Sequence, residues 1–149
     1  MPSIMRQMNV ISRCATAYKT EHAQIEEISG CHHVFFYPIC NQPGISQDAL
    51  VKHTRLNKST VTRSLSYLEE HGFITRAQDT ADKRSLLVYP TEKMLGAFPR
   101  VRELAKEWNG ALAEGISDGE MEIFMSVLGR MYERSVELAF GGSAEEGAK

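Results

Sequence analysis

The chain has 149 residues, of which 42% are hydrophobic and 24% are charged, and its formal net charge is −2. This is the composition of a soluble globular protein, long enough for one domain with a core and too short for two ordinary ones. The mildly acidic total does not by itself suggest a nucleic-acid partner, and the apolar runs are too short to cross a membrane.

The N-terminal segment and the cysteines further restrict the classes of protein to which the chain could belong. The first ten residues lack the apolar core of a secretory signal, so we expect a cytoplasmic protein without a membrane partner. Cys14, Cys31 and Cys40 are odd in number and form no CxxC pair. They therefore indicate neither a disulfide framework nor a zinc knuckle.

The first part of the chain predicts two helices. Apolar residues recur with a four-three spacing from Ile4 to Ile25, which predicts a long helix over about 4–27 with a narrow seam for packing on other helices. Ser29 is a candidate cap for a second helix, which Pro38 must kink or shorten.

Two helices separated by a short turn follow. Ser46 is a candidate N-cap for a short helix, and Asn57 is a candidate N-cap for a second helix that Gly72 ends. Apolar residues on one face of this second helix are Val61, Leu65 and Leu68. The opposite face has no acid before Glu69 and predicts a recognition helix that contacts DNA; its members are Lys58, Ser59, Thr60, Thr62, Arg63 and Ser66.

A hairpin and two further helices complete the chain. Residues 73–78 and 86–89 are predicted strands around a polar tip, which makes a two-stranded wing after the recognition helix. Thr91 is a candidate cap for a long helix, and Ser117 with Glu120 forms a capping box for the last one. The predicted class is mainly α (α+β), a winged helix-turn-helix over about 46–90 with flanking helices, and residues 141–149 are predicted to form a flexible tail.

Positive charge is concentrated in the winged part. Residues 46–90 contain seven Lys or Arg and five Asp or Glu, whereas the rest of the chain contains 10 basic and 14 acidic residues. This distribution favours DNA contact by residues 46–90.

The stretch over residues 45–94 resembles the winged helix-turn-helix of the multiple-antibiotic-resistance regulator (MarR) family. The resemblance rests on a recognition helix that ends in a leucine, acids and a glycine, on a charged wing tip, and on the start of a long helix. The residues that carry it are Leu68, Glu69, Glu70, Gly72, Asp82, Lys83, Arg84 and Thr91. The flanking helices match as well, so that residues 1–140 resemble a single MarR-like domain.

The resemblance implies a homodimer whose interface is formed by the helices over about 4–27 and 91–140. It implies a double-stranded, pseudo-palindromic DNA operator as partner and, most often, repression released by a small aromatic ligand. Arg84 would reach the minor groove, and a salt bridge with Asp82 would orient the Arg84 side chain. Arg76 and Lys83 are expected to contact phosphates. Candidate walls of a ligand pocket are Tyr18, Phe35, Phe36 and Trp108, with Tyr37 beside them.

Three other interpretations remain open. Cys14 lies on the first helix, where some members of the family sense peroxides, although a small buried hydrophobe is the commoner role of such a thiol. Cys31, His32 and His33 could sense a metal, but adjacent histidines on a helix point about 100° apart, and no metal site is predicted. A winged helix can also serve as a protein-interaction module. No spacing of acid, base and nucleophile indicates an enzyme, and no cofactor is predicted.

Overall fold

The computed structural model describes residues 2–141, which form mainly α-helices. In chain order the elements are α1 Ile4–His22, a 3₁₀ turn Gly30–His32, α2 His33–Asn41, β1 Ile45–Ser46, α3 Gln47–Thr54, α4 Lys58–Glu70, β2 Ile74–Gln78, β3 Leu86–Pro90, α5 Glu92–Leu112 and α6 Asp118–Phe140. The chain divides into two compact units, Met1–Trp108 and Asn109–Lys149. The tail predicted at 141–149 lies, from residue 142 onward, outside the described residues. Each helix within residues 2–141 is either too short or too polar to span a membrane.

The predicted helix-turn-helix is confirmed at α3 and α4. The Ser46 hydroxyl accepts a hydrogen bond from the Ala49 backbone N–H over 3.0 Å and so caps α3. Arg55 ends this helix in a left-handed conformation, with φ of 57°. α4 then begins after Asn57, and Gly72, with φ of 78°, lets the chain turn away after α4 ends.

The wing is the hairpin of β2 and β3, as predicted, but the sheet has a third strand. β2 pairs antiparallel with β3, with Arg76 opposite Val88. On the other side of β3, Ile45 of β1 also faces Val88, so the strand order is β1-β3-β2. β1 was not predicted, because two residues are too few to show an alternating pattern.

α1 is shorter than the predicted 4–27. It ends at His22, and the next residues include Gln24 and Glu27 in left-handed conformations, with φ of 53° and 70°. Because the helix stops there, the chain turns and Ile28 is buried in the core. α1 itself buries no residue, although its seam is apolar.

The core of the first unit lies under α4 and the sheet. The apolar face predicted for α4 is confirmed, since Val61, Leu65 and Leu68 are fully buried. They pack in one cluster with residues from α2, α3, the sheet and α5, the largest being Phe35, Phe36, Ile39, Leu50, Phe73, Ile74, Val88 and Met94. This packing holds the recognition helix by one face and leaves its other face open.

The last helix lies within the second unit and begins as predicted. The Ser117 hydroxyl accepts from the Glu120 backbone N–H, and the Glu120 carboxylate accepts from the Ser117 backbone N–H over 2.9 Å. Between Asp118 and Phe140, Val136 is the one buried residue among those described. α6 therefore exposes most of its apolar side chains, including Ile123, Phe124, Met125 and Leu138.

Candidate nucleic-acid interface

The start of α4 presents an exposed polar surface. The Asn57 side-chain oxygen accepts from the Thr60 backbone N–H over 2.8 Å and from the Ser59 hydroxyl over 2.9 Å. This cap satisfies an N–H at the helix end and orders the first turn. Lys58, Ser59 and Arg63 are exposed, and the first turn holds no acid. Helix polarity and side-chain charge therefore both favour an anion at this end.

Two residues predicted to contact DNA have hydroxyls with partners inside the protein. The Thr62 hydroxyl donates to the Lys58 carbonyl over 2.8 Å and accepts from Gln47 Nε2 over 3.0 Å. The Ser66 hydroxyl accepts from Arg76 over 3.2 Å. Thr60 is half-buried and reaches toward a cavity on the inner side of α4. Among the predicted α4 contacts, Lys58, Ser59 and Arg63 thus form the exposed set.

Arg76 is not the exposed cation that its position in the wing suggested. Its side chain is only 16% exposed. Its guanidinium donates to both carboxylate oxygens of Glu69, over 3.1 and 3.3 Å, and to Gln47 Oε1 over 3.4 Å. Because these hydrogen bonds and the one to Ser66 occupy the guanidinium, we withdraw Arg76 as a phosphate contact.

The wing tip presents Asp82, Lys83 and Arg84 to solvent. Asp82 Oδ1 accepts from the Arg84 backbone N–H over 3.0 Å, and the Asp82 carbonyl accepts from the Ser85 N–H over 2.9 Å. Among the described residues no ion pair joins the Asp82 and Arg84 side chains, so the expected salt bridge is replaced by a backbone hydrogen bond. Asp82 therefore stabilises the turn that carries Arg84.

A cavity of about 550 Å³ lies within the first unit, bounded by α1, α2, α4 and α5. Thr60 and Ser64 of α4 form part of its wall, and Lys19 and Arg102 bring positive charge to it. Apolar side chains complete the lining, chiefly Ala15, Val34, Tyr37, Phe98, Val101 and Ala105. A molecule in this cavity would contact the inner side of the recognition helix directly.

The predicted pocket walls need correction. Phe35 and Phe36 are fully buried in the core and do not line this cavity. Tyr18 and Trp108 pack against each other, with ring centroids 5.3 Å apart, and are also absent from its lining. For Phe35 and Phe36 the reason is the phase of α2, which turns Val34 and Tyr37 to the cavity and these two residues to the core.

His33, which the sequence suggested only as a metal ligand, is a polar residue at the cavity whose ring nitrogens both lack a partner among residues 2–141. Its side chain lines the cavity, yet the residue is only 7% exposed. Burial, with the nearby charges of Lys19 and His32, lowers the pKa of His33 to about 4, so the ring is neutral at pH 7. A buried ring with two open nitrogens can accept or donate hydrogen bonds to a ligand.

The residues predicted as candidate oxidant or metal sensors do not form one cluster. Cys14 is exposed on α1 rather than buried. Cys31 lies at the cavity with its sulfur 2.9 Å from the Ser29 hydroxyl, and His32 stacks on Tyr67 with ring centroids 4.7 Å apart. Within the described part of the chain, no three His, Cys, Asp or Glu residues are placed to hold a metal ion.

Comparison with known proteins connects this geometry to a family. The family model described as MarR matches residues 36–86. The transcriptional regulator HosA of Escherichia coli is 35% identical over 97 residues, which are 62% of this chain and 69% of HosA. The family model covers most of the winged helix-turn-helix, and the match to HosA is longer than that motif.

Solved structures share the fold across nearly the whole chain. The crystal structure of the transcriptional regulator SlyA is 26% identical, with a TM-score of 0.84, and the match covers 91% of this chain and 95% of SlyA. A MarR family regulator from Listeria monocytogenes, complexed with 26mer DNA, is 24% identical with a TM-score of 0.81, covering 90% of this chain and 89% of that one. On the identity to HosA and the matched family model, the chain belongs to the MarR family of transcription regulators.

Proposed function

We propose that the chain is a homodimeric, sequence-specific DNA-binding regulator, and that it acts as a repressor which a small aromatic ligand releases from DNA. Repression and a response to ligands are typical of the MarR family. In this proposal residues 1–140 act as one regulator domain, with the DNA-reading part over 46–90. The single observation that carries the proposal is the exposed, acid-free start of α4 in a member of this family.

DNA contact is assigned to two exposed groups of residues in the first unit. At the start of α4, Lys58 and Arg63 would neutralise phosphates while Ser59 reaches base edges in the major groove. At the wing tip, Arg84 would enter the minor groove and Lys83 would contact the backbone. The Listeria monocytogenes relative complexed with 26mer DNA supports this assignment, since it shares the fold.

Dimerisation is inferred from the terminal helices, each considered separately. α1 buries none of its residues and exposes Ile4, Met5 and Ile11, and α6 exposes Ile123 and Leu138. Exposed apolar side chains in such number on a helix favour burial against another chain. A two-fold partner would also supply the second recognition helix that a pseudo-palindromic operator requires.

The cavity is the inferred ligand site. It combines apolar walls with His33, Lys19 and Arg102, a mixture that suits a small aromatic molecule carrying polar groups. Because Thr60 and Ser64 belong both to its wall and to α4, a ligand can favour one placement of the recognition helix over another. Release from DNA follows only if the ligand binds the non-binding state more tightly.

The proposal is tested by selection from a pool of randomised duplexes, followed by fluorescence anisotropy on one selected duplex and a scrambled version of it. We expect a clear preference for the selected duplex, which a panel of small phenols then weakens. Lys58→Ala should weaken binding, whereas Lys106→Ala, an exposed lysine on α5, serves as the matched control. A chain that shows no preference between the duplexes is not a sequence-specific regulator, and binding without release by the phenols refutes that class of ligand.

A further inference from the structure

Arg76 joins three elements of the winged core at one half-buried point. It extends from β2, the first strand of the wing, and its guanidinium reaches Ser66 and Glu69 of α4. A third contact, over 3.4 Å, goes to the side-chain oxygen of Gln47 at the start of α3. The pairing with Glu69 uses both carboxylate oxygens, an arrangement that fixes direction as well as distance.

Gln47 extends this connection to the DNA-facing half of α4. Gln47 is 9% exposed, and its side-chain amide nitrogen donates to the Thr62 hydroxyl over 3.0 Å. Thr62 in turn donates to the Lys58 carbonyl in the first turn. A chain of side-chain hydrogen bonds thus runs from the wing strand to the helix start. We call Arg76, Glu69, Ser66, Gln47 and Thr62 the polar clamp.

The polar clamp lies between the two parts of the protein that would contact DNA. One is the start of α4 with Lys58 and Arg63, and the other is the wing tip with Arg84. Phosphate contacts tolerate small displacements, whereas hydrogen bonds to base edges do not. The relative orientation of α4 and the wing therefore matters more for reading a sequence than for general attraction to DNA.

We propose that Arg76 is a positioning residue for DNA recognition, which holds the recognition helix and the wing in the orientation that reads a specific sequence. The inference rests on the proposed DNA-binding function and adds a role that the exposed residues do not perform. The guanidinium and the Glu69 carboxylate balance each other's charge, so the pair contributes little to the positive charge offered to phosphates. The contribution of Arg76 is therefore geometric. A lysine has one ammonium group and cannot form the paired hydrogen bonds that the guanidinium makes with the Glu69 carboxylate.

The test compares Arg76→Met and Arg76→Lys with the wild type on a selected duplex and its scrambled version over a range of salt concentrations. We expect both variants to lose about tenfold or more in affinity for the selected duplex, the size of a poorly fitted base pair. In Arg76→Lys, which keeps the charge that balances Glu69, affinity for the scrambled duplex and the slope of affinity with salt should stay unchanged, because no phosphate contact is removed. Lys83→Met is the matched control, since it removes an exposed wing cation and should weaken both duplexes.

Each alternative gives a different result. If Arg76 touches a phosphate, Arg76→Lys keeps the affinity and Arg76→Met weakens both duplexes with a smaller salt slope. If Arg76 only stabilises the fold, the variants lower the melting temperature but bind both duplexes normally while folded. Either result overturns the inference.

Ser66→Ala removes one acceptor with little change in shape. A selective loss of affinity for the selected duplex in Ser66→Ala supports the proposal even where Arg76→Met does not fold. A wild type without sequence preference overturns the proposed function as well.

Discussion

The carboxylate of Asp82 accepts a hydrogen bond from the backbone N–H of Arg84 over 3.0 Å at the tip of the wing. This contact closes a tight turn and leaves the Arg84 guanidinium in solvent. Asp82 therefore acts on the backbone that carries Arg84 rather than on its charge. The two possible roles of Asp82 make different predictions for an uncharged replacement.

Asp82→Asn should bind the selected duplex nearly as well as the wild type, because the asparagine oxygen can still accept the Arg84 N–H. Asp82→Ala should bind more weakly, since the turn loses its acceptor. Fluorescence anisotropy at one fixed salt concentration measures both. If Asp82→Asn instead loses as much affinity as Asp82→Ala, the negative charge is what matters, and an ion pair with Arg84 forms on DNA.

Arg84→Ala should weaken binding to the selected duplex by about tenfold or more, as expected when an arginine leaves a groove. The melting temperature should not change, because the residue is exposed at the wing tip. Lys106→Ala on α5 controls for the loss of one positive charge. Wild-type affinity in Arg84→Ala would remove this residue from the interface.

His33 should make stability depend on pH. Burial lowers its pKa to about 4 in the folded chain, below the ordinary value of 6.5, so the unfolded chain binds more protons between these values. Stability should therefore fall as pH falls from about 6.5 toward 4, by on the order of 1 to 3 kcal/mol from this residue. Urea unfolding at several pH values measures the slope, and His33→Phe should flatten it. An unchanged slope in that variant would show that His33 is not the group that titrates.

Ile123→Glu should convert the proposed dimer to monomers. The side chain is 68% exposed in the single chain, so the substitution costs the fold little, whereas an interface cannot bury an unpaired carboxylate cheaply. Analytical ultracentrifugation reports the mass. Ser135→Glu adds the same charge at an exposed position about 120° around α6 from Ile123 and serves as a control. If Ile123→Glu remains dimeric, this part of α6 lies outside the interface.

Filling the cavity should separate ligand response from DNA binding. Ala105 lines the cavity from α5, so Ala105→Phe occupies space that a ligand would need. We expect this variant to bind the selected duplex normally and to resist release by a phenol that releases the wild type. Undiminished release from Ala105→Phe would place the ligand elsewhere.

The elements specified by local signals were predicted correctly. Ser46, Asn57 and Ser117 cap the helices that follow them, and each cap depends on residues three positions apart. The buried face of α4 repeats through Val61, Leu65 and Leu68, which is enough to fix its phase. These signals act within one turn of helix, so the sequence alone reveals them.

The features that depend on distant contacts were missed. Arg76 shares a strand face with the buried Ile74, but its charge suggested exposure, and only the folded chain brings Gln47, 29 positions earlier, to its guanidinium. The phase of α2 was also hidden, because nearly all of its short, proline-containing sequence is apolar and both faces look alike. Phe35 and Phe36, two of the predicted pocket walls, therefore lie in the core and not at the cavity.

The most direct test of the proposed dimeric mode of DNA binding is the spacing between the two halves of the operator. Recognition helices of a dimer enter successive major grooves about 34 Å apart, so a selected duplex should contain two half-sites one helical turn apart. Inserting about half a turn of DNA between them places the second half-site on the opposite face of the duplex. The account predicts that affinity then falls to that of the scrambled duplex, with two chains bound per unaltered site. Unchanged affinity after the insertion, or one chain bound per site, would contradict it.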